Sequence, residues 1–267
     1  MLSKLLSIIL TLLKQPKAIL RVLHPTEEES KYTVMAKYGF ANGLKVVALD
    51  NFLENKKGVS NPYLFLEGGS LPTDLILLNQ LAQKQNTQTY FEIGTWRGES
   101  AMNVAPFVEK VYTLNLPNEE IRRRGASESY ITQGGMLLQG PNIVQLYGDS
   151  QTFDFSPFFS ACDLVFVDGD HHYASVVKDS QNAMKLLKNE DSVLVWHDYG
   201  FSPEEIRWEI LLAILDSIPE SLHHCLYHVS NTKCAIFCKR PLPAEFLTRP
   251  LMPKSIFEVT VQQVKDL

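Results

Sequence analysis

From residue 61 onward the chain alternates short apolar runs with stretches of helical periodicity, and this alternation limits the fold more than any single residue. Residues 71–83 read as a helix, with Ser70 as its cap and Pro72 in its first turn. Strand-like runs occupy 89–93, 110–115, 142–147, 163–168 and 192–197, and helical stretches occupy 99–108, 174–187 and 203–218. Two further strand-like runs, 223–229 and 233–238, are joined by the hairpin-sized link Ser230-Asn231-Thr232. Strands that alternate with helices pair in parallel through right-handed crossovers. The expected fold is therefore α/β: a doubly wound, mostly parallel, seven-stranded sheet with helices on both faces. The closing hairpin supplies one antiparallel strand near the edge.

The length of 267 residues, with 45% hydrophobic and 21% charged residues, suits one domain with extensions. The boundaries expected are an N-terminal extension over 1–60, a core domain over 61–240 and a proline-containing tail over 241–267. A formal net charge of −5 and the lack of a Lys/Arg stripe argue against nucleic acid as a partner. Cys162, Cys225, Cys234 and Cys238 form no CxxC pair and border apolar runs. They read as buried free thiols in a reducing, cytoplasmic compartment.

Residues 2–13 place Leu2, Leu5, Leu6, Ile9 and Leu13 on one helical face, and Ser3, Lys4, Ser7, Thr11 and Lys14 on the other. The run is too short to span a membrane and lacks the cleavage site of a signal peptide. Lys4, Lys14, Lys17 and Arg21 meet no acid before Glu27, which suits peripheral contact of residues 1–24 with an anionic membrane surface. Packing on its own domain, or on a second copy in a homo-oligomer, would use the same stripe.

Ligands in such sheets bind beyond the carboxyl ends of the strands. The first strand ends in Glu92-Ile93-Gly94-Thr95-Trp96-Arg97-Gly98-Glu99-Ser100, a strand, a glycine-containing turn and a helix start. A dinucleotide site wants G-x-G-x-x-G, and Trp96 stands where its second glycine would be. That obstructs a pyrophosphate and weakens the reading as an NAD(P)-dependent oxidoreductase. The second strand ends at Asn115 and the third leads into Gly148-Asp149-Ser150. The fourth runs into Asp168-Gly169-Asp170-His171-His172-Tyr173, and the fifth into His197-Asp198-Tyr199.

Taken in order over residues 61–240, these motifs resemble the class I S-adenosylmethionine-dependent methyltransferases. The E-x-G-x-x-x-G turn resembles their first motif. F-V-D-G-D-H-x-Y and W-H-D-Y resemble a subfamily that includes sugar and natural-product O-methyltransferases, as does Glu67-Gly68-Gly69-Ser70. The resemblance implies a Rossmann-like fold and a cofactor site at Glu92, Gly94, Thr95, Gly98, Ser100, Asn115, Asp149, Ser150 and Asp168. The family usually carries an acid where this chain has Asn115, which can accept from a ribose hydroxyl only without charge assistance.

Methyl transfer to oxygen requires that the acceptor hydroxyl be held in line and lose its proton. Asp168 and Asp198 are candidate ligands for a divalent ion, with Asp170 or His197 completing the set, and an oxygen-rich set favours Mg²⁺. His171, three residues past Asp168, is the candidate base. The reading expected is O-methyl transfer to a hydroxyl of a sugar or another small-molecule acceptor. The alternative is a catalytically weak methyltransferase-like module that binds a partner or a membrane. Trp96, Arg97 and Tyr173 are candidates to line the acceptor pocket.

Overall fold

The computed structural model describes residues 25–60, 64–66, 69–84, 87–247 and 255–263. The amphipathic stretch at residues 1–24 and the pair Glu67-Gly68 lie outside the described residues.

Helix α1 (Glu27–Thr33) opens on a capping box between Thr26 and Glu29. Strand β1 (Lys45–Val47) follows, then α2 (Pro72–Lys84), β2 (Thr89–Ile93), α3 (Glu99–Val104) and β3 (Lys110–Asn115). The short helices α4 (Asn118–Arg123) and α5 (Glu128–Ile131) lead to β4 (Ile143–Tyr147) and β5 (Leu164–Val167). Helix α6 (Tyr173–Leu186) precedes β6 (Val193–Trp196) and the small hairpin of β7 (Gly200–Ser202) and β8 (Glu205–Ile206). Helix α7 (Trp208–Ser217), β9 (Leu226–Val229), β10 (Ala235–Phe237) and β11 (Ala244–Glu245) complete the order.

The large sheet runs β11-β1-β9-β10-β6-β5-β2-β3-β4. It is α/β, doubly wound and mostly parallel, as expected. Among the described residues it has nine strands rather than seven. The two additional strands come from either end of the chain: β1 pairs in parallel with β9, and β11 pairs antiparallel with β1. Strand β10 is antiparallel to both β6 and β9, so it lies inside the sheet and β11 forms the antiparallel edge.

Strands β5 and β6 are buried on both faces, which is why they read as continuous apolar runs. Along β5, Val165 and Val167 face one core with α6 and α7. Leu164 and Phe166 face the other with α2 and α3. Helix α1 packs on α7.

At the start of α2, Asp74 Oδ2 accepts from Leu71 N at 2.7 Å. One local expectation changes. Residues 203–207 do not begin α7. Gly200 and Ser202 pair with Ile206 and Glu205, and Arg207 N donates to Tyr199 O, so the helix starts at Trp208. Among the described residues no helix is long and apolar enough to cross a membrane.

Candidate active site

The strand order reverses between β2 and β5, and two cradles of polar side chains lie beyond the carboxyl ends there. One is a cleft of about 380 Å³. Gly94 and Trp96 form its first wall, Asn115 and Arg124 its second, Gly148-Asp149-Ser150 its third, and Asp168-Gly169-Asp170 its fourth. That size falls within the usual range for a small-molecule site.

The glycine turn is shaped by close approach. Gly94 has φ +102°, and a Cβ there would stand 2.0 Å from the backbone oxygen of Asp168. Gly98 (φ +90°) caps α3 against Leu138. Trp96 holds φ +39°, uncommon for a side chain of its size, and stacks on Tyr130 with ring centroids 6.2 Å apart. Arg97 lies over both Trp96 and Phe65.

Of the residues expected to touch a cofactor, Gly94, Asn115, Asp149, Ser150 and Asp168 line the cleft. Glu92, Thr95, Gly98 and Ser100 are not among its lining residues. Glu92 lies wholly buried beneath it. Its carboxylate accepts from Tyr90 Oη (2.7 Å), Ser100 Oγ (2.7 Å) and Thr113 Oγ1 (2.6 Å). Burial outweighs these three donors and pushes the carboxyl up to about 7. Thr95 is tied to Thr113 in the same layer. Asp149 is divided: Oδ1 accepts from Gln151 N at 3.0 Å, and Oδ2 pairs with Arg124 at 2.6 Å.

The second cradle lies where β5 and β6 end. Asp168, His197 and Asp198 bring one donor atom each to within 4.8 Å of one another. His197 Nδ1 is buried without a hydrogen bond among the described residues, and lies 3.1 Å from Asp168 Oδ1 and 3.4 Å from Asp198 Oδ1. Asp198 holds φ +54°, a strained conformation for a side-chain-bearing residue and one that turns it beside His197. An orphaned imidazole nitrogen facing two carboxylates fits a divalent cation. Asp170 does not join this group: its carboxylate is engaged by His172 and by Ser175 Oγ.

Nitrogen groups approach both oxygens of Asp198. Lys233 Nζ is 3.3 Å from Oδ1, while His171 Nε2 and Arg207 Nη1 are 3.2 and 3.8 Å from Oδ2. Burial raises the Asp198 carboxyl, but His197, His171 and Lys233 more than reverse that and hold it well below the usual carboxylate range. Burial opposes a charge on His197, yet Asp168, Asp198 and Asp74 together raise it well above an ordinary histidine. Tyr173 points elsewhere, its hydroxyl donating to Asp216.

Three functional neighbours carry no mark in the sequence. Lys233 and Arg207 arrive from the β9–β10 link and the end of β8. Asp74, on α2, lies 3.0 Å from His197 Nε2 across 123 positions of chain. A carboxylate in the first turn of a helix reads as a cap, so no local signal distinguishes it.

Residues 91–199 match the model of a methyltransferase domain, a match that spans less than half of the chain. No curated protein gives a significant match. Among solved structures, the chain resembles an O-methyltransferase from Bacillus cereus in complex with S-adenosylhomocysteine. Identity is 19%, covering 55% of this chain and 67% of that one, with a TM-score of 0.40. An S-adenosylhomocysteine-bound methyltransferase from Podospora anserina is 16% identical over 64% of this chain and 79% of its own, at a TM-score of 0.44. A candidate methyltransferase from Bacillus halodurans is 21% identical over 46% of this chain, at a TM-score of 0.34. The chain spans about half the length of that protein, 50%. Residues 91–199 are thus similar to a methyltransferase domain, and they lie on a doubly wound, mostly parallel sheet.

Proposed function

We propose that this chain is an S-adenosylmethionine-dependent O-methyltransferase acting on a hydroxyl of a sugar or a small natural product. The observation that carries the proposal is the position of Asp168. It lines the cleft and also belongs to the donor group with His197 and Asp198, so a methyl donor and a chelated acceptor would meet across one side chain.

When bound, S-adenosylmethionine supplies the methyl group, and a divalent ion such as Mg²⁺ lowers the pKa of the acceptor hydroxyl and fixes its position. Asp168, Asp198 and His197 Nδ1 would hold that ion. Asp149 and Asn115 would accept from the hydroxyls and amino group of the methyl donor, and Trp96 and Tyr130 would exclude water from one wall of the cleft. His171 pairs through Nε2 with Asp198 Oδ2, which leaves Nδ1 to take the acceptor's proton. Asp198 would then stabilise the imidazolium, while the acceptor oxygen would bond to the methyl carbon as the methyl–sulfur bond breaks and S-adenosylhomocysteine leaves as a thioether.

The test is calorimetric titration of the full chain with S-adenosylmethionine, with Mg²⁺ and with excess chelator, followed by turnover on a panel of sugar and phenolic hydroxyls. Saturable binding and metal-dependent methylation support the reading. Absence of S-adenosylmethionine binding in both conditions removes it, and leaves the domain as a binding module in which Asn115 has cost the cofactor its anchor.

A further inference from the structure

Asp74 is completely buried, and every oxygen it carries is used. Oδ2 accepts from Leu71 N at 2.7 Å and faces His197 Nε2 at 3.0 Å. Oδ1 accepts from Lys233 N at 2.9 Å and lies 3.6 Å from Cys234 Sγ. One carboxylate therefore joins the start of α2, the turn after β6 and the start of the last hairpin. With a backbone N–H donating to each oxygen, the carboxylate faces His197 Nε2 as an acceptor. The proton between it and His197 must then sit on Nε2. This decides what the other ring nitrogen can do. Nδ1, buried and without a hydrogen bond among the described residues, is turned toward Asp168 and Asp198, and Phe166 meets the ring with centroids 6.0 Å apart at 69°.

We infer that Asp74 is a positioning residue for metal binding. It keeps a proton on Nε2 of His197 and aims Nδ1 at the space between Asp168 and Asp198, so that a divalent cation displacing the Nδ1 proton would take the imidazole as its nitrogen ligand. This rests on the metal reading proposed above. The physical reason is general: a ligating histidine needs a partner on its second nitrogen to set tautomer and ring angle, and losing that partner weakens metal affinity roughly 10- to 100-fold. Replacing the carboxylate by an amide at the same place presents an N–H to Nε2, which favours the tautomer with its proton on Nδ1.

The experiment is a titration of the full-length protein with Mn²⁺, free ion being read by electron paramagnetic resonance, for wild type and Asp74→Asn. Circular dichroism establishes that both are folded at the temperature used. The expected result is about a 10- to 100-fold rise in Kd for the variant. A second measurement needs no variant that could unfold. Histidine ring ¹⁵N spectra of the wild type, with His197 assigned by its loss in His197→Gln, should show Nε2 protonated and the Nδ1 resonance moved by Mg²⁺. Mn²⁺ binding by the wild type that is unchanged in Asp74→Asn, or an Nδ1 that stays protonated when Mg²⁺ is added, overturns the role of Asp74 alone. Absence of Mn²⁺ binding by the wild type overturns the metal reading and this inference with it.

Discussion

A Cβ on Gly94 would stand 2.0 Å from the backbone oxygen of Asp168, so the turn after β2 and the end of β5 are packed as closely as two backbones can be. The contact joins the two strands that flank the cleft at the point where the sheet order reverses. Gly94→Ala must move one strand end and also strain a residue at φ +102°. We expect a loss of at least about 2 kcal/mol, a fall in Tm on the order of 5 °C, and at least a tenfold weaker S-adenosylmethionine affinity. Calorimetry and thermal melts would measure both, and a variant indistinguishable from wild type would sink this account of the turn.

Glu92 ties stability to pH. Burial raises its carboxyl from 4.5 to about 7 in the folded chain, so between those values the native state holds a proton that the unfolded state has released. Stability therefore falls as pH rises through that window, by about 3 kcal/mol on the scale of 1.36 kcal/mol per unit. Glu92→Gln keeps the shape and removes the titration. Relative to wild type, the variant should gain stability between pH 5 and pH 8. Denaturant unfolding at the two pH values checks this, and a constant difference between the proteins would show that Glu92 does not titrate there.

His171 lies 3.2 Å from Asp198 and about two-fifths of its side chain is exposed, so a bound acceptor could reach the proposed base. His171→Ala should lower kcat by about 10²-fold or more while leaving S-adenosylmethionine affinity within about twofold. Unchanged turnover on a working acceptor would clear His171 of the role of base.

Lys233 and a divalent ion would share Asp198 Oδ1, which the ammonium approaches at 3.3 Å. Lys233→Met removes that competitor but keeps much of the stem's packing. Mn²⁺ affinity should rise several-fold, as expected when about 1 kcal/mol of opposing interaction is removed. A fall in affinity would mean that Lys233 supports the ion site rather than competing with it.

Much of the half that carries the cleft was legible along the chain. Residues 89–93 and 110–115 read as strands to the residue, because β-branched and aromatic residues dominate two short runs bounded by polar and turn-forming residues. Asp168, His197 and Asp198 were legible for a related reason: in an α/β sheet a polar residue directly after a buried strand has only the carboxyl edge to occupy. The sheet's other edge was not legible. β1 and β11 have three and two residues, too few for any period to show. Their pairing depends on partners far along the chain, Val46 with His228 and with Glu245.

Local sequence thus determined the alternating elements, the buried strands and the order in which polar groups reach one sheet edge, since each depends on periodicity and turn chemistry within a few residues. Tertiary structure alone decided the direction of each group once there. It buried Glu92 beneath the cleft instead of within it, and it turned Asp170 away toward His172 and Ser175. It also carried Asp74 across 123 positions to hold the far side of His197. Those outcomes follow from close packing between elements that meet only when the sheet is assembled, and no pattern along the chain encodes them.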